Sequence, residues 1–151
     1  MKIDIAKLLQ RYNSTLFTEV APALGANHLA GSVFLMGMGL HFAVQQIEDS
    51  VDWLVTENQT MRALFADAER WIPDAALAVR LRTAAATQNS SLRMGELNHS
   101  HDELTALLIE LQTMVEDLGT PPARAMERKI LVYLKGFADR RRLVPLPMAG
   151  G

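Results

Sequence analysis

Four histidines and a scatter of carboxylates are the residues here whose types could do chemistry. His99-Ser100-His101-Asp102-Glu103 has the composition of a metal-ligand cluster. On a helix, residues two apart point about 200° away from each other, so His99 and His101 cannot share one ion. Glu96-x-x-His99 has the spacing of a di-iron carboxylate motif, which needs a second Glu-x-x-His and two more glutamates. The sequence holds no second copy. His41 shares a helical stripe with Gln45 and Glu48 and is incomplete in the same way. No metal or other cofactor is therefore expected, and a metal-dependent enzyme ranks third among the functional readings. Phosphate-binding glycine loops, nucleophile elbows and His-Glu-x-x-His motifs are missing too, so no catalytic residue is assigned.

Two other groups could bind or discriminate. Met36-Gly37-Met38-Gly39, flanked by Phe34, Leu35, His41 and Phe42, puts adaptable thioethers beside bare glycine faces. Phe34, Met36, Met38 and His41 could line a slot for an apolar small molecule or lipid within segment 31–42. Close helix–helix approach, with methionine filling gaps, explains the same residues. Asn58 and His101 are polar side chains at positions where the surrounding pattern asks for apolar ones. Such residues cost stability unless hydrogen-bonded, and can set register and oligomer choice. The alternative is that both reach water.

The elements that must position these groups are helices. Leu97, Leu104, Leu111 and Leu118 recur every seven residues, interleaved with Met94, His101, Leu108 and Val115. A second heptad run joins Val33, Leu40, Ile47, Leu54, Met61 and Ala68 with Gly37, Val44, Val51, Asn58, Phe65 and Ile72. Both read as long, coiled-coil-like helices. Helix boundaries follow from local chemistry. Residues 3–20 form an amphipathic helix ended by Pro22 and Gly25. Asn27 caps a long second helix to about Ile72, and Pro73-Asp74 starts a third. Around Gln88-Asn89-Ser90-Ser91 the apolar seam changes phase, so the helix is expected to break there with Asn89 capping the next. Gly119 ends that helix, and Pro121-Pro122 open the last. A break at Asn89 would make the two heptad helices parallel and could bring Asn58 against His101.

These elements make an all-α bundle of four to five helices, a single domain over 1–143 with a flexible tail at 144–151. Shifting the sequence by 43 aligns Leu54 with Leu97, Met61 with Leu104 and Asn58 with His101, which suggests a duplicated helical hairpin. Leu97, Leu104, Leu108, Leu111, Val115, Ile47, Val51, Leu54, Met61 and Phe65 are expected in the core. Glu57, Arg62, Asp67, Glu103 and Glu110 are expected outside.

Composition bounds the function. Fifteen basic and seventeen acidic residues leave a net charge of −2, which would not gather nucleic acid. Arg140-Arg141-Arg142 reads as cations complementing a helix C-terminus. The apolar run 29–44 is shorter than the roughly 20 residues of a bilayer span, so none is expected. Cysteine is absent, which excludes disulfides and thiolate sites. Four N-x-S/T sequons begin at Asn13, Asn58, Asn89 and Asn98, but Met1–Gln10 does not read as a signal peptide, and a cytoplasmic location is expected. The apolar surface exceeds what five helices bury, so the expected function is a non-enzymatic oligomerisation or adaptor module. It would act as a homodimer and present a surface to another protein; an apolar-ligand carrier is the alternative.

Overall fold

The computed structural model describes residues 4–142 and Val144, apart from the side chain of Glu48. All regular structure among them is helical: α1 (Ile5–Thr15), a π-helical turn (Leu16–Val20), α2 (Ala21–Leu24), α3 (Leu29–Ala68), α4 (Ala75–Ala86), α5 (Met94–Leu118) and α6 (Pro121–Arg140). Six α-helices exceed the expected four to five, because the N-terminal helix is interrupted. Apart from Val144, the tail lies outside the described residues. The described chain divides into two compact units, residues 4–50 with Val144, and residues 51–142. Helix α3 contributes to both.

In the first unit, Asp4 caps α1 by accepting from the amide of Lys7. The chain does not end its helix at Pro22 as the sequence suggests. Proline cannot donate to the carbonyl four residues back, and its ring crowds that carbonyl. The wide π turn just before it relieves both constraints, and the helix persists to Leu24. Gly25 then takes a positive φ of 57°, and Asn27 Oδ1 accepts from the Leu29 amide to start α3. Phe17 packs edge-on against Phe34 and lies over Gly37, where an added Cβ would come within 2.5 Å of the ring. Gly37→Ala should therefore force Phe17 out of place, at a cost of about 1–3 kcal/mol by overpacking. A urea unfolding midpoint equal to wild type would contradict this contact.

In the second unit, α3 ends at Ala68, four residues before the expected Ile72. Asp74 accepts from the amides of Ala76 and Leu77 and starts α4. The expected break around Asn89 is present, between Thr87 and Arg93. Asn89 does not cap α5; Arg93 occupies that position without a side-chain cap. Gly119 closes α5 in the left-handed conformation at φ 57°. Thr120 then caps α6 ahead of Pro121 and Pro122.

The core of this unit gathers Met61, Phe65, Leu77, Leu81, Leu104, Leu108, Leu111, Met126 and Ile130. Leu54 and Leu97 are buried as well. Asn58 pairs with His101, and Met61 accepts a long hydrogen bond from Thr105. Partners on both helices advance together, so α3 and α5 run the same way where they touch. Glu57 pairs with Arg141 and Asp67 with Lys129, in reversed order, so α6 runs against α3. Three expectations about burial need correction. Ile47 is 45% exposed, Glu57 is fully buried, and Arg62 is only 8% exposed. Val51 and Asp67 are intermediate, while Glu103 and Glu110 are exposed.

Candidate functional site

The densest chemistry lies in the second unit, in a polar layer that crosses its otherwise apolar interior. Helix α3 turns Glu57, Asn58 and Arg62 inward, since positions 58 and 62 share a face and 57 lies beside them. Helix α5 brings the Leu97 carbonyl, Ser100 and His101. Tyr133, Phe137 and Arg140 come from α6, Arg141 from its C-terminal cap, and Thr87 and Asn89 from the α4–α5 loop.

Glu57 is the centre of the first cluster. Arg141 Nη2 donates to its Oε2 at 2.8 Å. Arg140 Nε lies 3.7 Å from Oε1, and neither of those two buried atoms has a hydrogen-bond partner among the described residues. The Arg141 guanidinium also sits 4.3 Å from the centre of the Phe137 ring, and His101 stacks nearly parallel on that ring. So the arginines at the end of α6 do more than complement a helix dipole. They supply the countercharge for a carboxylate that would otherwise be stranded in the interior.

Asn58 and His101 meet directly, with Nδ1 of the imidazole 3.1 Å from Oδ1 of the amide. Asn58 Nδ2 donates to the Leu97 carbonyl at 3.2 Å and to Asn89 Oδ1 at 3.4 Å. That fixes the amide orientation. Its Oδ1 must accept, so His101 Nδ1 must carry the hydrogen and donate. Burial lowers the His101 pKa below its ordinary 6.5, with Arg141 acting in the same direction against Glu57 and Asp102. The 3.9 Å approach of His101 Nδ1 to Glu57 is thus a contact with a neutral ring. Burial, reinforced by the Glu57 charge, pushes the Tyr133 hydroxyl up to about 12.

Arg62 anchors the second cluster. Its Nε donates to Thr87 Oγ1 at 3.2 Å, Nη1 to Asn89 Oδ1 at 2.8 Å and Nη2 to Ser100 Oγ at 2.9 Å. This ties the α4–α5 loop to both long helices. Burial alone lowers its pKa from the usual arginine value.

The other candidates are more dispersed. Phe34, Met38 and His41 share one face of α3 with Gln45, but Met36 points about 200° away from Phe34 and is 62% exposed. The four do not converge. Instead Gln45 holds the backbone of Val144: its Nε2 donates to the carbonyl at 2.9 Å and its Oε1 accepts from the amide at 3.0 Å, with His41 Nε2 3.0 Å from the same carbonyl. Glu96 is exposed, and His99 lies 3.4 Å from Glu103 on the surface. Among the described residues no three His, Asp or Glu side chains are placed to hold a metal ion, and no helix is long and apolar enough to cross a membrane.

Sequence reasoning singled out Asn58 and His101 and missed Glu57, Arg62, Arg140 and Arg141. Charged residues default to the surface, which hid them. The one available signal was three adjacent arginines ending α6, more cation than a helix terminus uses. Comparison with family models, curated proteins and solved structures finds no match for this chain.

Proposed function

We propose that this protein is a non-enzymatic helical oligomerisation or adaptor module that works as a homodimer in the cytoplasm. The observation that carries the reading is the apolar surface left open in the first unit. Ile5, Leu8 and Tyr12 lie on one stripe of α1 and are exposed. On α3, Leu35 is 71% exposed and Met36 62%. Gly31 and Gly39, one turn either side of Leu35, have open space where a Cβ would sit. A helix face of that kind suits the close approach of a second helix, and large exposed apolar patches mark interaction surfaces. A balanced net charge of −2 and the absence of cysteine fit a cytoplasmic protein-binding role better than a nucleic-acid or secreted one.

In this reading residues 1–143 act as one domain. The heptad runs form coiled-coil-like seams, and the Asn58–His101 layer fixes their register. The parallel course of α3 and α5, with the paired residues 43 apart, fits a duplicated helical hairpin. Light scattering at several concentrations tests the association. The expected particle has twice the 16.7 kDa chain mass, with an interface above about 1,000 Å² in total. Leu35→Glu with Met36→Glu should return it to a monomer with unchanged helical content. A wild-type monomer at tens of micromolar would overturn the proposal.

A further inference from the structure

Helices α4 and α5 flank a groove of about 450 Å³ that is broadly open to solvent. Its volume falls in the range of small-molecule sites, roughly 300–1,000 Å³. Its apolar lining comes from both helices, Val79 and Ala84 of α4 and Leu104 and Leu107 of α5. The hydroxyls of Thr87 and Ser100 also line it, and they receive the guanidinium of Arg62, which lies behind them and outside the lining.

We propose that this groove binds an amphiphilic monocarboxylate, its acid group at Ser100, within the field of the Arg62 charge that stands behind that hydroxyl, and its hydrocarbon body along the apolar lining. A count of hydrogens supports the polar end. Thr87 passes its own hydroxyl hydrogen to the Ala84 carbonyl at 2.7 Å. Ser100 accepts from Arg62, yet its hydroxyl hydrogen has no acceptor among the described residues. A hydroxyl polarised by a guanidinium is a strong donor toward an anion.

The charge count points the same way. Arg62 is buried among neutral partners, and no carboxylate among the described residues forms an ion pair with it. A buried, uncompensated cation is costly, and a bound monoanion removes that cost. The cation in the lining itself, Arg80, is already committed to Glu110 through two hydrogen bonds. Glu103, also in the lining, is mostly exposed and lies beside His99. With one free positive charge and a carboxylate nearby, a dianion such as phosphate is disfavoured.

Calorimetric titration of the full chain at pH 7.5 with sodium octanoate, 1-octanol and inorganic phosphate tests this. Octanoate should bind with a Kd of about 1 mM or below, octanol about tenfold more weakly, and phosphate not measurably. Ser100→Ala should weaken octanoate about tenfold and leave octanol unchanged, since only the anion uses that donor. Arg62→Gln should act in the same way; because it also loosens the α4–α5 loop, the Ser100 variant and the ligand comparison on wild type decide the matter. No octanoate binding, equal affinity for octanol, or an unchanged Ser100→Ala variant would overturn the proposal. So would phosphate binding as tightly as octanoate.

Discussion

Replacing Arg140 and Arg141 together by alanine should cost about 3–5 kcal/mol of folding stability, because it leaves a buried charge without its countercharges. Glu57 has no exposed surface, and its direct hydrogen bond to a cation comes from Arg141. Arg140 stands 3.7 Å away and would take over part of that role in the Arg141→Ala single variant, which should lose less. Alanine favours the helix at position 140, and Arg141 lies at the cap beyond the last helical residue, so the loss cannot come from helix propensity. The decisive comparison adds Glu57→Gln to the double variant. If stranded charge is the cause, the neutral amide should recover a large part of the loss, a coupling that urea unfolding of the four combinations measures directly. A double variant as stable as wild type, or one that Glu57→Gln fails to rescue, would show that Glu57 is not held by these arginines.

The second large effect is expected at His101, where two substitutions of similar size should diverge. Asparagine can place its Nδ2 where the imidazole Nδ1 now sits and go on donating to Asn58 Oδ1. His101→Asn should therefore cost only about 1 kcal/mol, the scale of one altered hydrogen bond. Aspartate would set a carboxylate against the Asn58 oxygen, which cannot turn away without abandoning the Leu97 carbonyl. It would also lie near Glu57, so His101→Asp should cost about 3–5 kcal/mol. Thermal melts near neutral pH separate the two, and equal, negligible shifts would place His101 outside the network.

The same residue sets a pH dependence. Unfolded, His101 takes up its proton around the ordinary 6.5, whereas burial beside Arg141 holds the folded ring neutral to lower pH, against Glu57 and Asp102. Between those two values the unfolded chain binds more protons, so stability declines as the pH falls through that window and is complete above it. His101→Asn should remove this component of acid sensitivity.

Much of the chain was legible in its order of residues, for reasons that are local. The stop at Gly119 and the start at Pro121-Pro122 were readable because left-handed backbone and a helix-starting proline each act within a turn. The break near Asn89 showed as a phase change in the apolar period, and the burial of Leu97, Leu104 and Leu111 followed from spacing. Pairing Asn58 with His101 needed only that break and the parallel course it imposes. Only the tertiary structure decided the rest. Ile47 satisfies its heptad but is nearly half exposed, because a period states which residues share a face and not whether anything covers it. Glu57 and Arg62 resemble ordinary surface charges until α6 returns with Arg140 and Arg141, and until the α4–α5 loop brings Thr87 and Asn89. The burial of a charge depends on partners far along the chain, and their distance in space is set when the helices pack.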